Sequence, residues 1–168
     1  MAREVRNEAG TPPEIFGPLH RDFRFTVDAC AVGHNAKLPA YLTPEDDALD
    51  ADWSGERVWC NPPFRNIPAF LAHALEPVLA VYLLPVRSDR LWWMQWKPLA
   101  EVHWYVGQAP HRRIQYVPPP GVRYSSNPAC ECLMCFGERF RPGQERWRSG
   151  RTGELLPVLL GQKGNDDG

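Results

Sequence analysis

The sequence lacks the long apolar runs of a membrane protein. No stretch approaches the ~20 residues that cross a bilayer, and the charged first eight residues lack the apolar core of a secretory signal. We therefore expect a cytoplasmic protein with no membrane partner.

Cysteine is scarce, with five residues in 168, and the spacing is not that of a disulfide framework. With no export signal, free thiols in a reducing compartment are expected. Three of the five, Cys130, Cys132 and Cys135, lie close enough in sequence to suggest zinc. Neither His103 nor His111 supplies the second ligand pair that a tetrahedral site needs. We predict a buried strand and no metal, and a zinc-binding module is the alternative.

Net charge is also nearly absent, at −1 for the whole chain, but it is unevenly distributed. Residues 1–86 carry seven Lys/Arg against twelve Asp/Glu, whereas residues 87–151 carry eleven against five. A basic second half with interspersed aromatics is typical of a surface that follows phosphates and stacks bases. A solvated face whose charges balance across the fold is the other interpretation.

Proline and tryptophan, in contrast, are abundant, at 18 and 7 residues. Prolines shorten helices and strands and predict long ordered loops. The sequence Thr11-Pro12-Pro13-Glu14 predicts a helix capped by Thr11, with Glu14 completing a capping box and with a kink or restart at Pro18.

Short apolar runs alternate with helical patterns along the rest of the chain. We predict strands at 25–28, 57–60, 78–84, 101–106, 114–117 and 130–136, helices at 67–76 and 90–99, and a loop with one helical turn at 37–53. The run 78–84 is the expected central strand. This alternation predicts an α/β sheet with helices on its faces and a ligand site at the carboxyl ends of its strands. One domain over 1–160 and a disordered tail over 161–168 are expected.

The most informative motif is Asn61-Pro62-Pro63-Phe64, which follows a predicted strand directly. An aromatic amine is a poor nucleophile because its lone pair is delocalised into the ring. Two acceptors that take hydrogen bonds from its two N–H groups, here the Asn61 side-chain oxygen and a prolyl carbonyl, would localise that pair toward an electrophilic methyl carbon. The prolines have no N–H to compete, and Phe64 can stack on a base.

This tetrapeptide resembles the motif of amino-group methyltransferases that use S-adenosylmethionine. Residues that resemble the phage-type DNA N-6-adenine methyltransferases are Trp53, Trp92, Trp93 and the stretches 11–13, 25–31, 35–37, 41–43, 45–47, 58–64 and 83–89. The resemblance implies a compact Rossmann-like α/β methyltransferase fold, DNA as partner and S-adenosylmethionine as cofactor. It also implies that a flipped adenine is methylated at its exocyclic amine, in the bacterial host cytoplasm if the gene is phage-borne.

Residue roles follow from the same resemblance. Asn61, Pro62, Pro63 and Phe64 would be catalytic. The cofactor would be bound by Thr11, Pro12, Asp28, Ala29, Cys30, Asn35, Asp46 and Asp47. DNA would be contacted by Arg87, Arg90, Arg112, Arg113 and Arg123. The glycine-rich Asp-x-Phe-x-Gly-x-Gly loop of larger relatives is absent after Asp28.

Other interpretations of these residues remain open at this stage. Asp28 could cap a turn, Asn35 could occupy a left-handed turn position, and the acidic run 45–47 could be a solvated loop. The same chemistry could serve RNA adenine, cytosine or protein glutamine. No Pro-Cys dipeptide occurs in the chain, which disfavours cysteine attack on cytosine carbon.

Overall fold

A computed structural model describes residues 9–106, 114, 116–121 and 130–157. The tail 161–168 lies outside these residues. The helices are α1 (Pro13–Phe23), α2 (Ile67–Ala72) and α3 (Leu91–Trp96), with short 3₁₀ helices at Pro44–Asp46, Phe64–Asn66 and Lys97–Leu99. The strands are β1 (Val27–Asp28), β2 (Arg57–Cys60), β3 (Leu79–Pro85), β4 (Glu101–Val106), β5 (Glu131–Gly137) and β6 (Glu145–Ser149).

The six strands form one mixed sheet in the order β1-β2-β3-β5-β4-β6. Strands β1, β2 and β3 are parallel, β5 is antiparallel to β3 and β4, and β6 is parallel to β4. Strand β3 lies inside the sheet, since Val81 pairs with Trp59 on one side and Cys135 on the other. All seven β3 residues are buried, which confirms that the apolar run 78–84 marks a central strand.

Hydrophobic cores lie on both faces of this sheet. Helix α1 packs Ile15 and Leu19 on the face that carries Trp59. Helices α2 and α3 cover the opposite face with residues such as Phe70 and Trp92. The predicted α/β architecture with helices on both faces is therefore confirmed. No helix among the described residues is long and apolar enough to cross a membrane.

Helix α1 differs from the prediction at its start and in its middle. Its N-cap is Pro12, in extended conformation and without a side-chain cap hydrogen bond, so the capping box predicted for Thr11 is wrong. Thr11 is instead buried ahead of the helix. The helix also runs on through Pro18 without a restart. Pro18 is buried against Gly153. A Cβ added at Gly153 would lie 2.7 Å from the Glu14 backbone oxygen and 3.1 Å from the Pro18 ring.

The strand predictions hold where apolar runs are long. Strands β2 and β4 match the predicted 57–60 and 101–106, and the loop 37–53 contains the expected helical turn. The predicted strand 114–117 is wrong, because its described residues form only an isolated bridge between Val117 and Gly10. Strand β6 was not predicted, because its charged residues do not alternate with apolar ones as in a half-buried strand. Edge strands often carry such charges.

A buried polar network joins α1 to strands β4 and β6. Arg148, 1% exposed, donates to His103 Nδ1 at 2.9 Å, to the Gly153 oxygen at 2.9 Å and to Asp22 Oδ2 at 3.1 Å. His103 Nε2 lies 2.8 Å from Glu101 Oε1. Because Nδ1 accepts from Arg148, the neutral ring carries its proton on Nε2 and donates it to Glu101.

We expect acid to weaken the fold through His103. Burial lowers its pKa from 6.5 to about 4, the nearby charge of Arg148 adds to this effect, and the hydrogen bond to Glu101 opposes it. The unfolded chain therefore binds a proton that the folded chain does not, and stability falls as the pH drops from about 6.5 to 4. The slope due to this residue is at most about 1.4 kcal/mol per pH unit. Chemical denaturation at each pH measures it, and His103→Gln should remove this component. An unchanged slope in His103→Gln would contradict the assignment.

Candidate active site

Three parallel strands end at the same edge of the sheet and bring distant polar residues together. Asp28 ends β1, Asn61 follows β2, and Arg87 comes two residues after β3. The pairing of Asp28 with Trp59 and of Cys60 with Tyr82 fixes this alignment. Carboxyl ends of parallel strands are where open α/β sheets bind ligands.

Asp28 is 2% exposed and organises the loop that follows β1. Its Oδ1 accepts from the Cys30 N–H at 3.3 Å and its Oδ2 from the Lys37 N–H at 3.0 Å. Burial raises the pKa of Asp28, and these two hydrogen bonds partly oppose the rise. Asp28 therefore does cap the turn that follows β1, as one of the two interpretations of the sequence expects. Each carboxylate oxygen still has acceptor capacity for a ligand.

Asn61 is half-buried at the end of β2. Its Nδ2 donates to Thr11 Oγ1 at 3.4 Å, and Thr11 itself is 2% exposed. This contact orients the amide and leaves the side-chain oxygen of Asn61 as a hydrogen-bond acceptor. Pro62 and Pro63 follow without N–H groups, and Pro63 is the N-cap of the 3₁₀ helix Phe64–Asn66.

Residues of this motif line three cavities. Asn61 lines a small cavity shared with Thr11 and Asp28. Pro63 lines a cavity of about 290 Å³, and Phe64 lines another of about 320 Å³. The first two cavities have Cys30 in common and the last two have Arg65 in common. We call the small cavity and the 290 Å³ cavity together the inner space, and the 320 Å³ cavity the outer cavity. The motif therefore contributes residues to both.

The 290 Å³ cavity brings several predicted cofactor residues together. Ala29, Cys30 and Asp47 line it alongside Pro63, and most of its lining is apolar, as small-molecule sites usually are. Its volume is near the lower end of the roughly 300–1,000 Å³ typical of such sites. Its mainly apolar lining, with Asp47 among the lining residues, suits the nucleoside part of a cofactor.

The two predicted cofactor residues of the acidic loop, Asp46 and Asp47, have different surroundings. Asp46 Oδ2 accepts from the Thr43 N–H at 2.8 Å and the Thr43 hydroxyl at 2.7 Å, so this carboxylate closes a capping box on the 3₁₀ helix Pro44–Asp46. Asp47 adopts a left-handed φ of 44° and lines the 290 Å³ cavity.

Two other predicted cofactor residues lie in the framework around the small cavity. Asn35 Oδ1 accepts from the Val32 N–H at 2.8 Å, and the residue lines the cavity beside Asp28. Pro12 is buried as the N-cap of α1, next to Thr11.

Phe64 is exposed on the outer cavity among basic residues. Its relative exposure is 47%, and Arg65, Arg87 and Arg90 share the lining. Asp89 pairs with Arg87 and with Arg90, through Arg87 hydrogen bonds of 2.8 and 2.9 Å and an Arg90 contact of 3.3 Å. Hydrogen bonding from Arg87 is the main reason that the pKa of Asp89 falls to about 2. The predicted DNA contacts Arg112, Arg113 and Arg123 lie outside the described residues.

The cysteine cluster does not converge. Cys132 and Cys135 are buried on β5 and belong to the cores on opposite faces of the sheet, and Cys130 is exposed before the strand. No metal-binding group of three or more His, Cys, Asp or Glu residues occurs in the part of the chain that the structure describes.

Sequence reasoning missed several residues around the cavities. Thr43 lines the 290 Å³ cavity, Lys37 the small one, and Arg65 and Trp92 the outer one. The Thr43-Pro44 dipeptide is a helix-start signal, and Arg65 directly follows the motif. Lys37 and Trp92 are among the residues that resemble the phage-type family, but their residue types alone do not indicate a site, since their position depends on how the chain folds back.

Comparison with known proteins gives one family. The family model described as DNA N-6-adenine-methyltransferase (Dam) matches residues 1–147. The DNA N-6-adenine-methyltransferase of Haemophilus phage HP1 (strain HP1c1) is 38% identical over 89 residues, which are 49% of this chain and 51% of the phage protein. YfdM of Escherichia coli (strain K12), whose name makes it only provisionally a methyltransferase, is 40% identical over 70 residues, 37% of this chain and 76% of that protein. The alignment thus spans about half the length of the phage relative. No solved structure matches.

Proposed function

The chain belongs to the DNA N-6-adenine-methyltransferase (Dam) family, and from this membership we propose that it methylates the exocyclic amino nitrogen of adenine in DNA, with S-adenosylmethionine as methyl donor. The observation that carries the proposal is the position of Asn61-Pro62-Pro63-Phe64, at the carboxyl end of β2 where an inner and an outer cavity meet.

The chain's own residues activate the amine. The Asn61 side-chain oxygen and the Pro62 carbonyl accept the two hydrogens of the adenine amino group, which turns its lone pair toward the incoming carbon. Thr11 holds the Asn61 amide in the required orientation. When bound, S-adenosylmethionine supplies an electrophilic methyl group. Transfer by direct displacement then needs no metal and no covalent enzyme intermediate.

Cofactor binding is proposed for the inner space. Ala29, Cys30 and Asp47 would line the site of the nucleoside, and Asp28 with its neighbours would face the methionine part. Thr11 and Asn35 would form walls of the small cavity, Pro12 would hold Thr11 beside it, and Asp46 would hold the loop that carries Asp47. We further propose that residues 1–160 form one minimal domain with a Rossmann-like methyltransferase fold, of which the parallel β1-β2-β3 unit is the binding half.

DNA is proposed to bind at the outer cavity. An adenine extruded from the duplex would stack on Phe64, while Arg87 and Arg90 contact the phosphates beside it. The arginines of the basic second half, Arg112, Arg113 and Arg123, would extend this contact.

Methyl transfer to competing acceptors tests the function. The protein is incubated with S-adenosylmethionine labelled on its methyl group and with separate samples of DNA, RNA and protein. We expect label in DNA alone. Label in RNA or protein instead, or in no acceptor at all, would overturn the proposal.

Substitutions at Phe64 should separate base stacking from packing. Because the ring is 47% exposed, Phe64→Tyr and Phe64→Trp should fold and remain active, since each keeps a flat face. Phe64→Leu should fold equally well yet need on the order of tenfold more DNA, because stacking is worth about 1–3 kcal/mol. Methylation rate against DNA concentration, with melting temperature as the folding control, measures both. An active leucine variant beside an unfolded tryptophan variant would refute stacking.

A further inference from the structure

The structure brings an unassigned cation, Lys37, to the small cavity. Lys37 lines this cavity with Thr11, Asp28 and Asn61, and its backbone N–H donates to Asp28 Oδ2 at 3.0 Å. Lys37 is half-buried and lies nine residues after Asp28, in the loop that follows β1.

The positive charge of the Lys37 ammonium is only partly balanced by its surroundings. None of the salt bridges among the described residues involves it. Partial burial lowers the pKa of Lys37, and the charge of Asp28 only partly opposes this. A desolvated cation at a cavity gains most from an anion that enters the cavity.

Gly10 gives this ammonium its space. A Cβ at position 10 would lie 3.2 Å from Lys37 Nζ, tighter than ordinary contacts. Gly10 has no left-handed φ that would require glycine. Its backbone is fixed by two hydrogen bonds of 2.8 Å with Val117. The absent side chain therefore serves the close approach of the lysine and not the conformation of the backbone.

We propose that Lys37 binds the α-carboxylate of the methionine part of S-adenosylmethionine, while Asp28 faces the α-ammonium. This inference rests on the proposed function. An α-amino acid carries an ammonium and a carboxylate on one carbon, and Asp28 and Lys37, which line the same small cavity, carry the complementary charges. A DNA phosphate is the other anion available, but the exposed arginines that suit phosphates lie with Phe64 on the outer cavity.

Paired ligands test the inference by isothermal titration calorimetry. S-adenosylhomocysteine carries the carboxylate, and its decarboxylated analogue, the adenosyl thiopropylamine, lacks it. The wild-type protein should bind the first at least about tenfold more tightly. Lys37→Met should weaken S-adenosylhomocysteine about tenfold or more and leave the analogue unchanged, so that the preference disappears. Lys37→Arg should keep part of it. Lys97→Gln is the matched control, because Lys97 pairs with Glu145 at 2.8 Å on the surface, and it should change neither affinity.

Each other result contradicts the inference. A preference that survives in Lys37→Met, or equal weakening of both ligands with an unchanged melting temperature, would overturn it. Weaker DNA binding with unchanged S-adenosylhomocysteine affinity would assign the ammonium to a phosphate. A wild-type protein that binds neither ligand would overturn the proposed function itself, whereas loss of the carboxylate effect alone leaves that function standing.

Discussion

Replacing Asn61 with alanine should nearly abolish methyl transfer and leave cofactor binding intact. In the proposed mechanism the Asn61 oxygen is one of two acceptors for the reacting amine, and the Asn61 amide donates to Thr11 Oγ1 at 3.4 Å. Loss of one such preorganised group costs a few kcal/mol of barrier, on the order of a hundredfold or more in rate. Single-turnover methylation and calorimetric titration with S-adenosylhomocysteine measure the two quantities separately.

Asn61→Asp is the matched variant. It keeps an oxygen acceptor at the same position, so measurable activity should remain. Turnover of Asn61→Ala within a few-fold of the wild type would remove Asn61 from the catalytic machinery. A parallel loss of S-adenosylhomocysteine binding would instead give this residue a role in the inner cavity.

Replacing Arg148 with methionine should lower the free energy of unfolding by about 3 kcal/mol. Removing one partner of a buried charged network leaves the others uncompensated, which usually costs about 3–5 kcal/mol. The lower figure applies because the Asp22 side chain is one-third exposed and can regain water. The Arg148 guanidinium also lies 5.4 Å from the centre of the Phe23 ring, so a cation–π contact is lost as well. Urea unfolding at neutral pH measures the change.

Arg21→Met provides the control for this result. Arg21 also links α1 to the C-terminal segment, through Glu154 at 2.6 Å, but both side chains are more than half exposed. Exposed pairs contribute about 0–1 kcal/mol, so this variant should stay close to the wild type. Equal stability losses in Arg21→Met and Arg148→Met would show that burial of the network does not determine its contribution.

The parts of the fold that the sequence predicts well are those with strong local patterns. The continuous apolar run of β3 can only be a buried strand or a buried helix, and seven residues suit a strand. Strand β6 carries three charged residues in five and owes its existence to pairing with β4. Its sequence alone gives no such signal. The sequence does not predict the start of α1 correctly, because the Thr11 hydroxyl accepts from Asn61, fifty residues further along the chain, and does not cap the helix.

The candidate site divides in the same way. Asn61-Pro62-Pro63-Phe64 is contiguous, so its chemistry can be inferred from residue types alone. Lys37 and Thr43 reach the cavities only because the loop after β1 folds back along that strand, where the Asp28 N–H donates to the Ala40 oxygen at 3.0 Å. Such packing depends on tertiary structure, and the helix-start signal at Thr43-Pro44 does not by itself place the residue at a cavity.

The most direct test of the proposed activity is mass-spectrometric analysis of the nucleosides in unmethylated duplex DNA after incubation with the protein and S-adenosylmethionine. We predict N6-methyldeoxyadenosine as the product in the wild-type reaction and its near absence with Asn61→Ala. DNA without N6-methyldeoxyadenosine, or DNA whose only new product is a methylated cytosine, would contradict adenine methylation by this chain.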